Sequence, residues 1–251
     1  MIRYSYISKK GKKYKVNEDS YIIPQKNEIT DFETVPEKNG FLFAICDGMG
    51  GNKAGEVASK LCCTWLDKEF YEAENICDYQ TWMNEEIISL SSRLFQLQTE
   101  HEQYTGMGTT LVSLIVKDNI AYIHNVGDSR CYYITDHEMI QVTEDDSEVW
   151  KLYKNDFISK DEIITNKRKN IITQAIATEP SVNVHFYQEI NLHERFQFLL
   201  CSDGLSDVAT DNMIETVLRK SATSDEAVQN LLELALKNKS RDDITILLIS
   251  N

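Results

Sequence analysis

A buried strand that runs into an aspartate and a glycine-rich turn constrains this chain more than any other feature. The run from Phe41 to Cys46 is short, continuous and apolar, which is typical of a strand covered on both faces. Asp47 and the turn 48–51 follow it, and the apolar spacing after the turn predicts an amphipathic helix. The residues expected on the buried face of that helix are Ala54, Val57, Ala58, Leu61, Cys62 and Trp65. A carboxylate beside bare backbone suits a hard cation or a phosphate.

The same arrangement occurs a second time. The run from Phe196 to Cys201 is apolar and leads through Ser202 into Asp203-Gly204. A single Asp-Gly after a strand usually marks a turn, because glycine tolerates positive φ and aspartate bonds its own backbone. Two strand ends of this kind instead suggest that carboxylates converge on one point.

Composition narrows the class of protein. The formal net charge of −14 argues against nucleic acid and anionic membranes as partners, and no run is apolar enough to span a membrane. The length of 251 residues fits one large domain. The six cysteines show no zinc-site spacing and lie mostly in apolar runs, which predicts buried free thiols in a reducing compartment. We therefore expect a cytoplasmic protein, and a monomer.

Changes of period predict the remaining elements. A helical stripe is formed by Met83, Ile87, Leu90, Leu94 and Leu97, and further helices are predicted over 211–219 and 223–238, the latter with Thr223 and Glu226 as a capping box. Short strands are predicted over 109–116, 120–126, 130–135 and 139–142, with a last one ending at Ile249. Because the connections between the four are too short for helical crossovers, they predict one antiparallel meander.

Two segments lack periodicity. Residues 24–39 are polar and predict a loop between neighbouring strands. Residues 143–170 carry mixed charge, and a loop of this length within a compact domain is usually functional or mobile.

Acidic side chains recur at strand ends and turns. These positions are Glu18, Asp19, Asp47, Asp128, Asp203, Asp242 and Asp243. Oxygen ligands without nearby histidine or cysteine favour Mg²⁺ or Mn²⁺ over zinc, and several carboxylates at one site need cations to relieve their repulsion. Two such ions sharing a carboxylate are a common apparatus for the attack of water on phosphorus. The spacing required for dinucleotide-binding loops, nucleotide-binding loops and kinase motifs is not met.

At these positions the chain resembles the metal-dependent protein phosphatases of type 2C, the PPM family, and in particular its bacterial serine/threonine phosphatases. The matching motifs, in the family's order, are Asn17-Glu-Asp-Ser, Asp47-Gly-Met-Gly-Gly, Gly106-Met-Gly-Thr-Thr, Val126-Gly-Asp-Ser-Arg130, Leu200-Cys-Ser-Asp-Gly-Leu205 and Asp242-Asp-Ile-Thr245. Each motif is weak alone, but six in order span nearly the whole chain.

The resemblance implies an α+β fold, a four-layer α-β-β-α sandwich in which two stacked antiparallel sheets are flanked by helices. It implies a single domain over residues 1–251 with a substrate-facing flap at about 143–170. Asp47, Asp203 and Asp242 would be the catalytic metal ligands, with Asp47 bridging two Mg²⁺ or Mn²⁺ ions. The Gly48 carbonyl, Glu18 and Asp19 would complete the two sites, and Asp128 would join Asp203 in a weaker third site.

The chain departs from the family in three places. Tyr14 occupies the position where an arginine usually binds the substrate phosphate, and Lys13 and Lys15 are its neighbours. If this segment is a strand, side chains alternate between its faces, and both lysines point away from the face of Tyr14. Asp243 replaces the usual asparagine of the last motif, and Asp146 replaces a common histidine at the start of the flap.

The expected function is hydrolysis of phosphoserine and phosphothreonine in proteins, through water activated at a binuclear Mg/Mn centre. The expected partners are phosphorylated proteins and a cognate serine/threonine kinase. Two alternatives stay open at this point: a non-catalytic module that binds phosphoproteins, suggested by the missing arginine, and a metal-dependent hydrolase of small phosphate esters.

Overall fold

The computed structural model describes residues 2–24, 38–50, 54–192 and 195–251. Its strands are β1 (Arg3–Lys9), β2 (Asp19–Ile22), β3 (Phe41–Met49), β4 (Gly108–Thr109), β5 (Leu111–Lys117), β6 (Ile120–Val126), β7 (Arg130–Ile134), β8 (Met139–Gln141), β9 (His185–Asn191), β10 (Gln197–Cys201) and β11 (Ile244–Ser250). Its helices are α1 (Ala54–Glu72), α2 (Tyr79–Glu100), α3 (Glu148–Lys154), α4 (Asp203–Ser206), α5 (Asp211–Lys220) and α6 (Ser224–Lys237). Most of the loop predicted at 24–39, and residue 51 of the glycine-rich turn, lie outside the described residues.

The strands form two antiparallel sheets. One sheet has the order β1-β11-β10-β7-β8, and the other has the order β2-β3-β5-β6-β9 with β4 paired to β3. Strand β9 was not predicted from the sequence; it pairs with β6 at the edge of its sheet.

The two sheets stack on each other, and helices cover their outer faces. Side chains from both sheets share one apolar cluster, among them Phe43 of β3, Phe198 of β10 and Leu247 of β11. On the outer faces, α1 and α2 pack against the β3 sheet, and α5 and α6 pack against the β10 sheet. The predicted four-layer α-β-β-α sandwich is therefore confirmed.

The burial of β3 on both faces explains why its sequence is a continuous apolar run. The residues facing the cluster between the sheets are Phe41, Phe43 and Ile45, and those facing the cluster under α1 are Leu42, Ala44 and Cys46. Because successive side chains point to opposite faces, a strand covered on both faces needs apolar residues throughout. The strand continues to Met49, so Asp47 lies within it near its end and not after it.

The predicted face of α1 is partly wrong, whereas that of α2 is confirmed. Leu61 was expected to be buried and is 38% exposed. The fully buried residues of α1 include Ala58, Cys62, Leu66 and Phe70, spaced by four. Because four residues span slightly more than one turn, this stripe winds round the helix away from Leu61. In α2, Met83, Ile87, Leu90 and Leu94 are buried and Leu97 packs against them.

The predicted single meander is wrong. Strands β5 and β6 pair in one sheet, whereas β7 and β8 pair in the other. The chain crosses between the sheets at residues 127–129, where Gly127 has a φ of +96° and a Cβ would lie 2.6 Å from Cγ2 of Thr110. A connection this short is compatible with either a hairpin or a crossing, so spacing alone could not separate them.

The segment 143–170 is more ordered than its sequence predicted. It contains α3, whose first turn is capped by Ser147, and a 3-10 turn over Lys160–Thr165. Val149, Trp150 and Ile163 form a small apolar cluster of their own. Helix α3 has only seven residues, which is too short to show a clear helical period.

Two further expectations concern cysteines and membranes. All six cysteines are free, and all except Cys77 are buried, as predicted. Within the described ranges, no helix has the length and apolar character needed to cross a membrane.

We expect trypsin to cut the folded protein after Lys167 and Arg168, because both residues are exposed and the segment is held only by a small apolar cluster and a few surface ion pairs. Mapping the early fragments by mass spectrometry checks this. Lys167→Gln combined with Arg168→Gln should remove these two cuts while leaving thermal stability nearly unchanged, because the Arg168–Glu148 ion pair that is lost is largely exposed. A segment that stays intact until the whole chain unfolds would contradict the expected mobility.

Candidate metal centre

Most of the predicted carboxylates meet at one edge of the sandwich. Asp19 opens β2 and lies directly opposite Asp47 of β3 in the antiparallel register. Asp203 follows the end of β10, and Asp242 precedes the start of β11; these two ends are adjacent because the strands are antiparallel neighbours. Asp128 lies in the crossing between the sheets. The fold thus brings together residues that are far apart in sequence.

Backbone contacts position Asp47. The Thr110 hydroxyl accepts a bond from the Asp47 backbone N–H (3.0 Å), and the Thr110 N–H and the Thr109 hydroxyl donate to the Asp47 carbonyl (2.9 and 3.0 Å). Gly48 is required next to it, since a Cβ there would lie 2.2 Å from the Gly55 carbonyl oxygen. The Gly-Thr-Thr motif therefore acts by holding the end of β3 that carries Asp47, a role that the sequence did not reveal.

Ser202 positions Asp19. Its hydroxyl donates to Oδ2 of Asp19 (2.9 Å) and accepts from the Thr245 backbone N–H (3.0 Å). This chain of bonds links β2 to β11, in opposite sheets, directly beneath the carboxylates. Sequence analysis did not single out Ser202, although it lies inside the Ser-Asp-Gly motif.

The contacts of Asp243 explain why an aspartate suits this position, where the family usually has asparagine. Its two carboxylate oxygens accept backbone N–H bonds from Gly11 and Glu18, each at 2.7 Å. A carboxylate can accept on both oxygens, whereas an amide has only one acceptor oxygen. Asp243 thereby fastens the loop between β1 and β2 to the start of β11.

The carboxylates at this edge carry uncompensated charge. Four buried oxygens have no hydrogen-bond partner among the described residues: Oε2 of Glu18 and Oδ1 of Asp19, Asp128 and Asp203. Burial, followed by the charges of Asp243 and Asp242, raises the pKa of Glu18 to about 7. Burial also raises the pKa of Asp19 to about 7 and the pKa of Asp128 to about 8. Burial, and then the charges of neighbouring aspartates, raises the pKa values of Asp47 and Asp203 well above the usual range.

These side chains fit hard divalent cations. Buried, unpartnered carboxylate oxygens are costly unless a cation neutralises them, and an all-oxygen set suits Mg²⁺ or Mn²⁺. In the described part of the chain, no group of three or more acidic, His or Cys side chains forms a ready-made metal cage. Mg²⁺ usually keeps several waters and takes only one or two carboxylates, so the open arrangement is compatible with such ions.

A further carboxylate lies beside the expected third site. The Asp207 backbone N–H donates to the Asp203 carbonyl (2.8 Å), and the charge of Asp207 adds to the effect of burial in raising the pKa values of Asp203 and Asp128. Lys169 reaches Asp207 from the segment 143–170, with Nζ 2.7 Å from its carbonyl and 3.2 Å from Oδ2. Neither residue was expected from the sequence, because their contact depends on how this segment folds.

The predicted phosphate contacts are rearranged. Residues 12–16 form bends and not a strand, so the expected alternation is wrong. Nζ of Lys13 lies 2.7 Å from Oδ2 of Asp242 and 4.8 Å from the centre of the Tyr14 ring. Lys13 therefore points towards the carboxylates, and Tyr14 lies next to it. Lys15 is exposed, without an ion pair to any described residue.

Comparison with known proteins places these features in context. A sequence model of the family described as Protein phosphatase 2C matches residues 30–246. The serine/threonine phosphatase stp of Listeria monocytogenes is 32% identical over 208 residues, which cover 82% of this chain and 82% of that protein. The crystal structure of a serine/threonine phosphatase from Staphylococcus aureus has a TM-score of 0.86 and 34% identity, covering 100% of this chain and 95% of that one. The catalytic domain of the phosphatase PstP, crystallised with two manganese ions, has a TM-score of 0.80 and 29% identity, covering 99% of this chain and 97% of that one.

We expect Asp47→Asn to separate stability from activity. The substitution keeps the side-chain volume and removes one buried charge, so the metal-free protein should become more stable to urea at pH 7. Turnover with Mn²⁺ should nevertheless fall by more than roughly 100-fold, the upper end of the cost of losing a supporting group around a metal. Urea titration in chelator and steady-state kinetics measure the two effects.

Asp203→Asn should behave in the same way, and Asp128→Ala should lose activity while two ions still bind. Near-normal turnover in Asp47→Asn would show that the centre lies elsewhere.

Proposed function

The chain belongs to the protein phosphatase 2C family and is a metal-dependent serine/threonine phosphatase with a two-ion Mn²⁺ or Mg²⁺ centre, and we propose that its ions bind at the edge formed by Asp47, Asp203 and Asp242. Four buried, unpartnered carboxylate oxygens at this edge carry the proposal. Phosphorylated proteins are its substrates, as the serine/threonine phosphatases of this family imply.

Each carboxylate has a distinct role in the proposal. Asp47, held by Thr109 and Thr110, would be a ligand of both ions, together with the Gly48 carbonyl. Asp203 and Asp242 would hold one ion, and Glu18 and Asp19 would act at close range. Asp128 and Asp203 would hold a weaker third ion, since each has a buried oxygen without a partner among the described residues.

The chemistry at this edge is hydrolysis of a phosphate monoester. Two divalent ions lower the pKa of water and offset the charge of the phosphoryl oxygens. The protein's part is to hold its carboxylates in fixed positions before substrate arrives. Ser202 fixes Asp19 and Asp243 fixes the backbone at Glu18, so neither carboxylate has to reorganise during the reaction.

Several finer features also belong to the proposal. The match over residues 30–246 supports a single phosphatase domain over residues 1–251, with the segment 143–170 as its flap. A cognate kinase, a monomeric state and a cytoplasmic location stay predictions from the sequence. A non-catalytic binding module is not favoured, because such a module would have no need for the buried carboxylates.

We expect strict metal dependence. Hydrolysis of a phosphothreonine peptide should vanish in excess EDTA and return with Mn²⁺ or Mg²⁺, because the carboxylates at the edge cannot activate water without a cation. Inhibitors of the okadaic acid type, which act on other phosphatase classes, should have no effect. Measuring phosphate release with each metal checks this. Full activity in excess EDTA would rule out the binuclear centre.

We expect Tyr14→Arg to lower KM for a small phosphate ester by roughly tenfold. A guanidinium makes two charge-assisted bonds to phosphate, whereas a phenol makes at most one neutral bond, a difference of about 1–2 kcal/mol. Lys13 cannot supply the second bond freely, because it is paired with Asp242. Steady-state kinetics with p-nitrophenyl phosphate measure the change, with Tyr6→Arg at an exposed tyrosine of β1 as the control. An unchanged KM would mean that Tyr14 does not face the phosphate.

A further inference from the structure

A cluster of lysines lies beside the metal centre of an otherwise acidic protein. Lys9, Lys10, Lys12, Lys13 and Lys15 all fall within seven residues, and all are exposed. The whole chain has only 26 basic residues against 40 acidic ones. We call residues 9–15 the basic loop.

The basic loop is fastened to β11 and to the residues just before it, which include Asp242. Lys9 ends β1 opposite Ile244 of β11, and the backbone N–H groups of Lys12 and Lys13 both donate to the Arg241 carbonyl at 2.8 Å. Gly11 approaches so closely that a Cβ would lie 2.1 Å from the Asp242 carbonyl oxygen. The lysines are therefore presented at a fixed place next to the reaction centre.

Part of this positive charge has no partner among the described residues. Lys13 pairs with Asp242, and Lys10 donates to the carbonyls of Gly11 and Tyr14. Among the described residues, no carboxylate lies within ion-pair distance of Lys9, Lys12 or Lys15. Three ammonium groups thus face solvent beside the metal centre.

We propose that the basic loop binds acidic side chains that flank the phosphorylated residue in protein substrates, an inference that rests on the proposed function. A substrate rich in acidic residues would be repelled by a protein of net charge −14. Exposed charges act over about 8 Å at physiological salt. The basic loop can therefore offset this repulsion only for acidic residues that bind close to it. Because the basic loop adjoins Asp242, residues that flank a phosphate bound at the proposed centre would lie within its reach.

The first test compares three phosphothreonine peptides that differ only in their flanking residues: glutamate, glutamine or lysine. Wild type should show the highest kcat/KM for the glutamate peptide, and the preference should shrink at high salt. Lys9→Gln combined with Lys12→Gln should lower kcat/KM for that peptide by about three- to tenfold, the effect expected for two exposed charge pairs. Lys15 is left unchanged because it neighbours Tyr14.

Two controls test whether the effect comes from the basic loop and from the residues that flank the phosphate. Lys38→Gln combined with Lys220→Gln removes the same charge from the opposite end of the sandwich, where Lys38 precedes β3 and Lys220 ends α5. This variant should keep the wild-type preference for the glutamate peptide. Hydrolysis of p-nitrophenyl phosphate, which has no flanking residues, should be the same in all three proteins.

A binding measurement separates this inference from the proposed function. The Mn²⁺-loaded protein is titrated into a fluorescent glutamate-rich peptide without phosphate, and anisotropy is read with and without the Lys9 and Lys12 substitutions. Loss of binding in that variant alone supports the role of the basic loop, whether or not the peptides are hydrolysed. Absence of hydrolysis for every phosphopeptide would instead overturn the proposed phosphatase function.

Equal binding by all variants, or no preference among the three phosphopeptides, would overturn the inference. Tighter binding of wild type to a single-stranded oligonucleotide or to phosphatidylserine vesicles than to the acidic peptide would overturn it as well.

Discussion

Mutual repulsion among buried carboxylates is the constraint on which the rest of this structure depends. Asp19, Asp47, Asp128 and Asp203 are held near one another with raised pKa values, and several of their oxygens lack partners. Such a group is unfavourable by itself, and the proposed divalent cations would offset its repulsion. The apolar sandwich therefore has to stabilise an edge that works against folding, a common cost of active sites.

The sandwich meets this requirement by burying both faces of its central strands. In β3, alternate side chains enter two different apolar clusters before the strand reaches Asp47. The strand end is thereby positioned by packing on both sides and by the bonds from Thr109 and Thr110. Asp19 and Asp47 lie within strands, whereas Asp128, Asp203 and Asp242 lie in short connections at strand ends.

Surface segments add the features that distinguish this chain from its family's usual pattern. Asp243 uses both carboxylate oxygens to fasten the loop after β1, which brings Lys13 to Asp242. The segment 143–170 reaches the same edge through the contact of Lys169 with Asp207. Both contacts join residues that the fold brings together from distant parts of the chain.

The sequence by itself determined the layers of the fold and most of the helices and strands, and it predicted the carboxylates that the fold brings to one edge. It could do so because apolar periodicity reports which faces are buried, and because motifs in a fixed order report a shared centre. Only the tertiary structure decided that β6 and β7 belong to different sheets, that β9 closes an edge, and that Lys13 and not Tyr14 points at Asp242. These outcomes depend on contacts between distant segments and on short connections with more than one possible path, and local sequence patterns carry no information about either.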